Sequence, residues 1–328
     1  GNAKALTDYR EITEDPEIDI VNICTPNHLH CDALLSAIKN QKHIYCDKPL
    51  TATFEEAMKI KEALKDYQGI SQMTLQNRFY PATIRAKQLI DEGKIGEILE
   101  FRAQYLHSGS ADPKAPLKWK LSAESGGGVV ADLGSHILDL MHYLLGDFAE
   151  LNASTHIAYK KRPCADNPEK LLKVEAEDNM LVTVRLQNGA VGQVGASKIA
   201  TGTEDEVSFE IFGSKGALRL LPMDLHHLYF YDQATVNSPY GGLRGWTAID
   251  CGQRYEKPGG FPTPKAVIGW MRGHMHCLYN FLDAVHKKEN LGPSLTQGIY
   301  IQHLIDIVKK SAENKEWLNV KKYDEFGD

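Results

Sequence analysis

Asp132, His136, Asp139 and Tyr143 recur at spacings of 4, 3 and 4 in the stretch 130–145. At 3.6 residues per turn those spacings put all four on one face of a helix. Leu133, Ile137, Leu140, Met141 and Leu144 supply its packing face. An imidazole titrating near neutrality, with a carboxylate one turn away, is suited to general acid–base work. Two other readings stay open: a plain solvated face, or a metal site using Asp132, His136 and Asp139, for which no fourth His or Cys stands at a supporting spacing. Gly126-Gly127-Gly128 just ahead lets the backbone approach a ligand. Gly134, inside the helix, costs about 1 kcal/mol against alanine, which a function would explain.

Further polar residues follow short apolar runs: Thr25-Pro26-Asn27-His28, Asp47-Lys48-Pro49 and Asn77-Arg78-Phe79-Tyr80-Pro81. In a parallel α/β sheet, ligands bind beyond the carboxyl ends of the strands, where these residues would stand. As single loops they also read as helix caps and turns. The pairs His226-His227 and His274-x-His276 do not share a helix face, which argues against metal ligation. Phe212-Gly213-x-x-Gly216 is a hairpin turn, and no G-x-G-x-x-G or Walker motif occurs in the chain.

The elements needed to position these groups form two sets. Strands at 19–24, 43–47 and 70–76 alternate with helices at 28–39 and 54–66, the signature of a parallel sheet. Pro81 opens a further helix. Strands then dominate at 97–106, 152–159, 179–186, 190–197, 207–212 and 217–221, with hairpin signals at Asn188-Gly189 and 214–216 that predict a largely antiparallel sheet. Helices are expected at 130–145, 271–287 and 296–311. The Pro/Gly-rich stretch 240–264, with Trp246, reads as a long surface excursion. The expected division is an α/β Rossmann-like unit at 1–80 and an α+β unit at 81–328, the last helix packing back on the first unit.

With 328 residues, 42% hydrophobic and 24% charged, the chain has room for two cores and is neither disordered nor coiled-coil. Its net charge of −6, without a run of like charge, argues against a nucleic-acid partner. No segment is long and apolar enough for a membrane span, and six cysteines without zinc-like or C-x-x-C spacing fit reduced thiols in a cytoplasm.

The residues I-C-T-P-N-H-L-H at 23–30, K-H-I-Y-C-D-K-P-L at 42–50, N-R-F-Y-P at 77–81 and G-G-G-V-V-A-D-L-G-S-H-I-L-D at 126–139 resemble, in this order, the Gfo/Idh/MocA family of nicotinamide-dependent sugar and cyclitol oxidoreductases. The resemblance spans nearly the whole chain. It implies a Rossmann domain followed by an open, mainly antiparallel sheet. The family's strand, G-x-G-x-x-G loop, helix and second strand would be expected in roughly 30 to 50 residues ahead of Gly1, so the Rossmann unit reads as N-terminally incomplete.

By the same resemblance, Lys48, Asp132 and His136 fall on the catalytic positions, with Asp47 where the family has Glu. Thr25, Pro26, Asn27, His30, Asp47, Lys48, Asn77 and Arg78 would hold NAD or NADP, and no metal is implied. The expected reaction is oxidation of a secondary hydroxyl of a sugar, glycoside or cyclitol. His136 would be the base, Asp132 would orient it, and Lys48 would favour the negative charge developing on the oxygen. Tyr105 and Trp119 offer faces for a pyranose ring, or are core residues. A homo-oligomer, dimer or tetramer, is expected through the open sheet. An NAD-dependent glycosidase and a catalytically silent ligand sensor are the alternative functions.

Overall fold

The computed structural model describes residues 3–240, 242–252 and 269–327. Its N-terminal part runs α1 (Arg10–Thr13), β1 (Ile20–Ile23), α2 (His30–Lys39), β2 (His43–Cys46), α3 (Phe54–Ala63), β3 (Ser71–Met73) and α4 (Pro81–Asp91). β1, β2 and β3 lie side by side and parallel, with Ile20 opposite His43 and Ile44 opposite Ser71. β2 and β3 bury almost every residue, as strands covered on both faces do. Thr53 and Glu56 start α3 with a reciprocal capping box, and Pro81 starts α4 at the position where its missing N–H costs nothing.

The rest comprises β4 (Ile98–Leu106), α5 (Ser135–Leu145), β5 (Phe148–His156), the ribbon β6 (Lys161–Pro163) and β7 (Leu171–Lys173), then β8 (Asn179–Leu186), β9 (Val191–Ser197), β10 (Glu206–Gly213), β11 (Gly216–Leu220), β12 (His227–Asp232), β13 (Trp246–Asp250), α6 (Trp270–Lys287), α7 (Leu295–Asn314) and β14 (Leu318–Asn319). Nine of these strands form one sheet in the order β13-β12-β11-β10-β4-β9-β8-β5-β14. Every described pairing in it is antiparallel except β4 with β9, where Tyr105 faces Ala196 and Leu106 faces Ser197. That parallel pair brings two strand C-termini to one place.

Three sequence expectations shift. The strand placed at 152–159 is β5, which starts earlier because Phe148 and Leu151 are fully buried. Trp246 opens edge strand β13 rather than sitting in an excursion; Gly241 and residues 253–264 of that stretch lie outside the described residues. The helix expected from 130 begins as a π-helical turn, Val130–Gly134, before α5. Gly134 has a packing reason: a Cβ there would stand 2.9 Å from Sδ of Met180 on β8, so glycine lets this turn lie flat on the sheet.

One apolar core runs through both parts, from Leu34 and Ile44 to Phe101, Phe148 and Leu304. α7 ties them together. A Cβ at Gly298 would meet Sδ of Met73 at 2.9 Å and Cβ of Leu50 at 3.1 Å, while the Ser311 hydroxyl accepts from Ala153 N on β5 at 2.9 Å.

Candidate active site

A cleft of about 200 Å³ opens beyond the carboxyl ends of β1 and β2, lined by Cys24 to Asn27, Asp47, Lys48, Trp119, Lys120, Gly126, Gly127 and Asp132. Lys48 is held at its backbone, whose N–H donates to Oδ1 of Asp47 at 2.9 Å. Its Nζ donates to the main-chain oxygen and to Oδ1 of Asp132, both at 2.7 Å. An ammonium has three N–H donors, so one remains for a ligand oxygen.

Asp132 answers more than one lysine. Nζ of Lys198 lies 3.0 Å from Oδ2, and Nζ of the more exposed Lys120 lies 3.4 Å from Oδ1 and 3.5 Å from Oδ2. Burial by itself would raise the Asp132 pKa. Lys48, Lys198 and Lys120 together outweigh it and hold the carboxyl far below the usual range. Three cations on one anion leave the cleft electropositive, a field that favours negative charge developing on a bound oxygen.

His136, one helical turn on, is buried. Its Nδ1 is shut off from solvent without a hydrogen-bond partner, so Nε2 is the nitrogen a ligand can reach. Burial first, then the Lys48 charge, holds its pKa well below 6.5, and the opposing pull of Asp132 is too weak to restore it. The imidazole is therefore neutral at physiological pH. Asp132 does not orient this ring, as the sequence suggested; its carboxylate is turned to the lysines. His136 is instead walled by Tyr105, ring centroids 5.9 Å apart, whose phenol is pushed up by burial and by Asp205.

The local fold explains the arrangement. The Glu177 carboxylate accepts from Val130 N at 3.1 Å, an anion at a helix N-terminus, and closes on Gly128, whose φ of +109° suits glycine. The π-turn then presents the Asp132 carbonyl to Lys48 and to the Ser135 hydroxyl, which donates at 3.1 Å. Widened turns of this type recur at functional sites.

Of the residues expected to hold a cofactor, Thr25, Pro26, Asn27, Asp47 and Lys48 line the cleft. Asn27 does not cap a helix; its Nδ2 donates across the cleft floor to Gly126 O at 2.8 Å. His30 lies behind it, its ring nitrogens 2.7 Å from Thr25 O and 3.1 Å from Pro49 O, so it braces two cleft loops rather than lining the cleft. Arg78 is directed elsewhere, its guanidinium forked on buried Asp139 at 2.7 and 2.5 Å and flanking a separate shallow depression with His142 and Tyr143. Asn77 has both amide atoms buried and unpartnered. Asn77 is not among the residues that line the cleft, whose glycine floor at Gly126 and Gly127 leaves room for a flat group such as a nicotinamide. Trp119 stands at the cleft, 38% exposed, whereas Tyr105 is buried at 6%.

The polar helix stripe is thus not a solvated face: His136 and Asp139 are buried and Asp132 nearly so. Among the described residues no group of three His, Cys, Asp or Glu side chains stands close enough to hold a metal ion. Sequence reading missed Lys198, Lys120, His107, Asp205 and His274. Lys198 and His107 follow β9 and β4 and meet only through the parallel pairing, which no local pattern announces. His274, passed over because His274 and His276 share no helix face, has a buried, unpartnered Nε2, and its field reaches His136.

A Rossmann-type sheet with a lysine, aspartate and histidine at its mouth, backed by a large open sheet, defines a two-part nicotinamide oxidoreductase. The chain belongs to the Gfo/Idh/MocA oxidoreductase family: residues 2–75 match its NAD-binding Rossmann fold and residues 87–320 its C-terminal alpha/beta domain. It is 31% identical to levoglucosan dehydrogenase of Pseudarthrobacter phenanthrenivorans over 338 residues, covering 98% of this chain and 84% of the relative. It is 32% identical over 219 residues to scyllo-inositol 2-dehydrogenase (NAD(+)) of Bacillus subtilis, covering 66% and 59%. The structure of levoglucosan dehydrogenase in complex with NADH and levoglucosan superposes with a TM-score of 0.89 at 32% identity, covering 96% of this chain and 83% of that one.

Proposed function

We propose that this protein is an NAD-dependent dehydrogenase that oxidises a secondary hydroxyl of a sugar or cyclitol, with Lys48, Asp132 and His136 as its acid–base machinery. The observation that carries this reading is the neutral, buried His136 beside a Lys48 that keeps one N–H donor for a ligand. The nicotinamide, when bound, supplies the hydride acceptor. Thr25, Pro26, Asn27 and Asp47, which line the cleft, would hold it. Nε2 of His136 takes the hydroxyl proton. Lys48 hydrogen-bonds the same oxygen and stabilises its growing negative charge. Asp132 keeps Lys48 aimed, through its main-chain oxygen and Oδ1. Trp119 offers a half-exposed ring face to the sugar, while Tyr105 works as the wall behind His136.

The open face of the nine-stranded sheet carries a groove of about 740 Å³ between its strands, with Leu181 63% exposed, which supports self-association through that face. Light scattering tests it: a mass of two or four chains is expected, and a monomer contradicts it. Cys24, Cys31, Cys46, Cys164 and Cys277 form no disulfide, which supports a cytoplasmic enzyme; among the described residues no helix is long and apolar enough to cross a membrane.

NAD reduction followed by absorbance, with levoglucosan, myo-inositol and scyllo-inositol as probes, tests the function. Turnover with at least one is expected. With an aryl glycoside as a further probe, release of its aglycone without net reduction would instead make the protein a glycosidase, and binding of the probes without turnover a sensor.

A further inference from the structure

We propose that Lys198 is a positioning residue for this chemistry: it clamps Oδ2 of Asp132, so that Oδ1 and the main-chain oxygen of Asp132 hold Lys48 against the reacting oxygen. The inference rests on the reading that Lys48 meets that oxygen. Lys198 follows β9, and its own N–H donates to Asp178 O at 2.9 Å, fixing the backbone from which the side chain enters. Because β4 and β9 run parallel, it emerges beside His107, whose N–H donates to Ser197 O at 2.9 Å.

The side chain is only 3% exposed, and an ammonium buried to that degree is costly unless paired. Its partner is Oδ2 at 3.0 Å, whereas Lys48 uses Oδ1 at 2.7 Å. A carboxylate is a flat, two-ended acceptor, so fixing one oxygen sets the direction of the other. Without Lys198, the carboxylate can rotate toward Lys120, whose 52% exposed side chain already stands near both oxygens. Apolar side chains in place of both partners would serve stability alone as well, so what the buried pair adds is the direction of the carboxylate.

The test is Lys198→Met in the intact protein, with Lys198→Gln as the variant to use if the first does not fold. A crystal structure gives the readout that does not depend on activity. The Lys48 to Asp132 Oδ1 contact is expected to open and the carboxylate to turn toward Lys120; an unchanged contact overturns the proposal. With the probe sugars, kcat is expected to fall by about 10- to 100-fold while KM for NAD holds. Lys198→Arg should recover part of it.

The acid limb of the pH profile should move up, because a cation is lost from the cluster of Lys48, Lys120, Asp132, His107, Asp205 and His274 around His136. In an Asp132→Asn background, Lys198→Met should add little. An equal loss in both backgrounds, or a loss of kcat with an unmoved profile, would make Lys198 merely structural. If the parent protein turns over no probe, the dehydrogenase reading fails on its own, and the crystal arm still decides whether Lys198 aims Lys48.

Discussion

Lys48 and Asp132 are 84 residues apart in sequence, yet Nζ of the first lies 2.7 Å from both the main-chain and a carboxylate oxygen of the second. This double contact joins the carboxyl end of a parallel strand to a π-turn on the large sheet. It fixes a cation by two points and leaves a third donor to act.

Lys48→Ala should therefore lower kcat by about 100- to 1,000-fold, the usual cost of losing a donor to a developing oxyanion. Asp132 keeps Lys198 as its partner, so the melting temperature should hold to within a few degrees. Steady-state kinetics with a thermal melt checks both. The Lys48 charge also depresses His136, so what activity remains should show its acid limb at higher pH than the parent.

Arg78 gives a stability prediction. Asp139 is 1% exposed and forks onto Arg78, with Nε2 of Gln297 donating to Oδ1 at 2.9 Å. Arg78→Met strands a buried carboxylate and should cost about 3 to 5 kcal/mol, most of it recovered by adding Asp139→Asn. Denaturant titration of the single and double variants is the measurement.

These two lysine and arginine contacts show where sequence reading succeeds and where it stops. The alternation of β1, α2, β2, α3 and β3 follows from apolar spacing, and the polar residues at the ends of those strands mark the cleft because the rule for parallel sheets is local. Partners are not local. By sequence Arg78 reads as a cofactor contact, whereas its guanidinium pairs with Asp139, and Asp132 reads as the support of His136, whereas its oxygens face three lysines. Lys198 could not be found by spacing, since its place depends on β4 and β9 being the parallel pair of a mainly antiparallel sheet. The π-turn was equally hidden, because 130–145 carries an unbroken helical pattern.

His303 sets an acid limit. Its ring packs against Phe54 and Phe326, and burial lowers its pKa to about 4. The unfolded chain binds a proton below pH 6.5 that the folded chain refuses, so folding stability should fall as pH drops from 6.5 toward 4, by up to about 1.4 kcal/mol per pH unit. His303→Gln, whose amide oxygen can still accept from Lys321 N, should flatten this slope in denaturant titrations at pH 7, 6 and 5. An unchanged slope would place the acid sensitivity elsewhere.

The central claim is that His136 takes the proton of a sugar or cyclitol hydroxyl. The most direct measurement is the pH profile of NAD reduction, with levoglucosan or an inositol, by the parent protein and by His136→Ala. Because burial and Lys48 hold His136 well below 6.5, the parent should keep its activity to below pH 6.5 before the acid limb falls, and His136→Ala should lose most turnover at every pH. A His136→Ala protein with the parent's rate and profile would contradict the account.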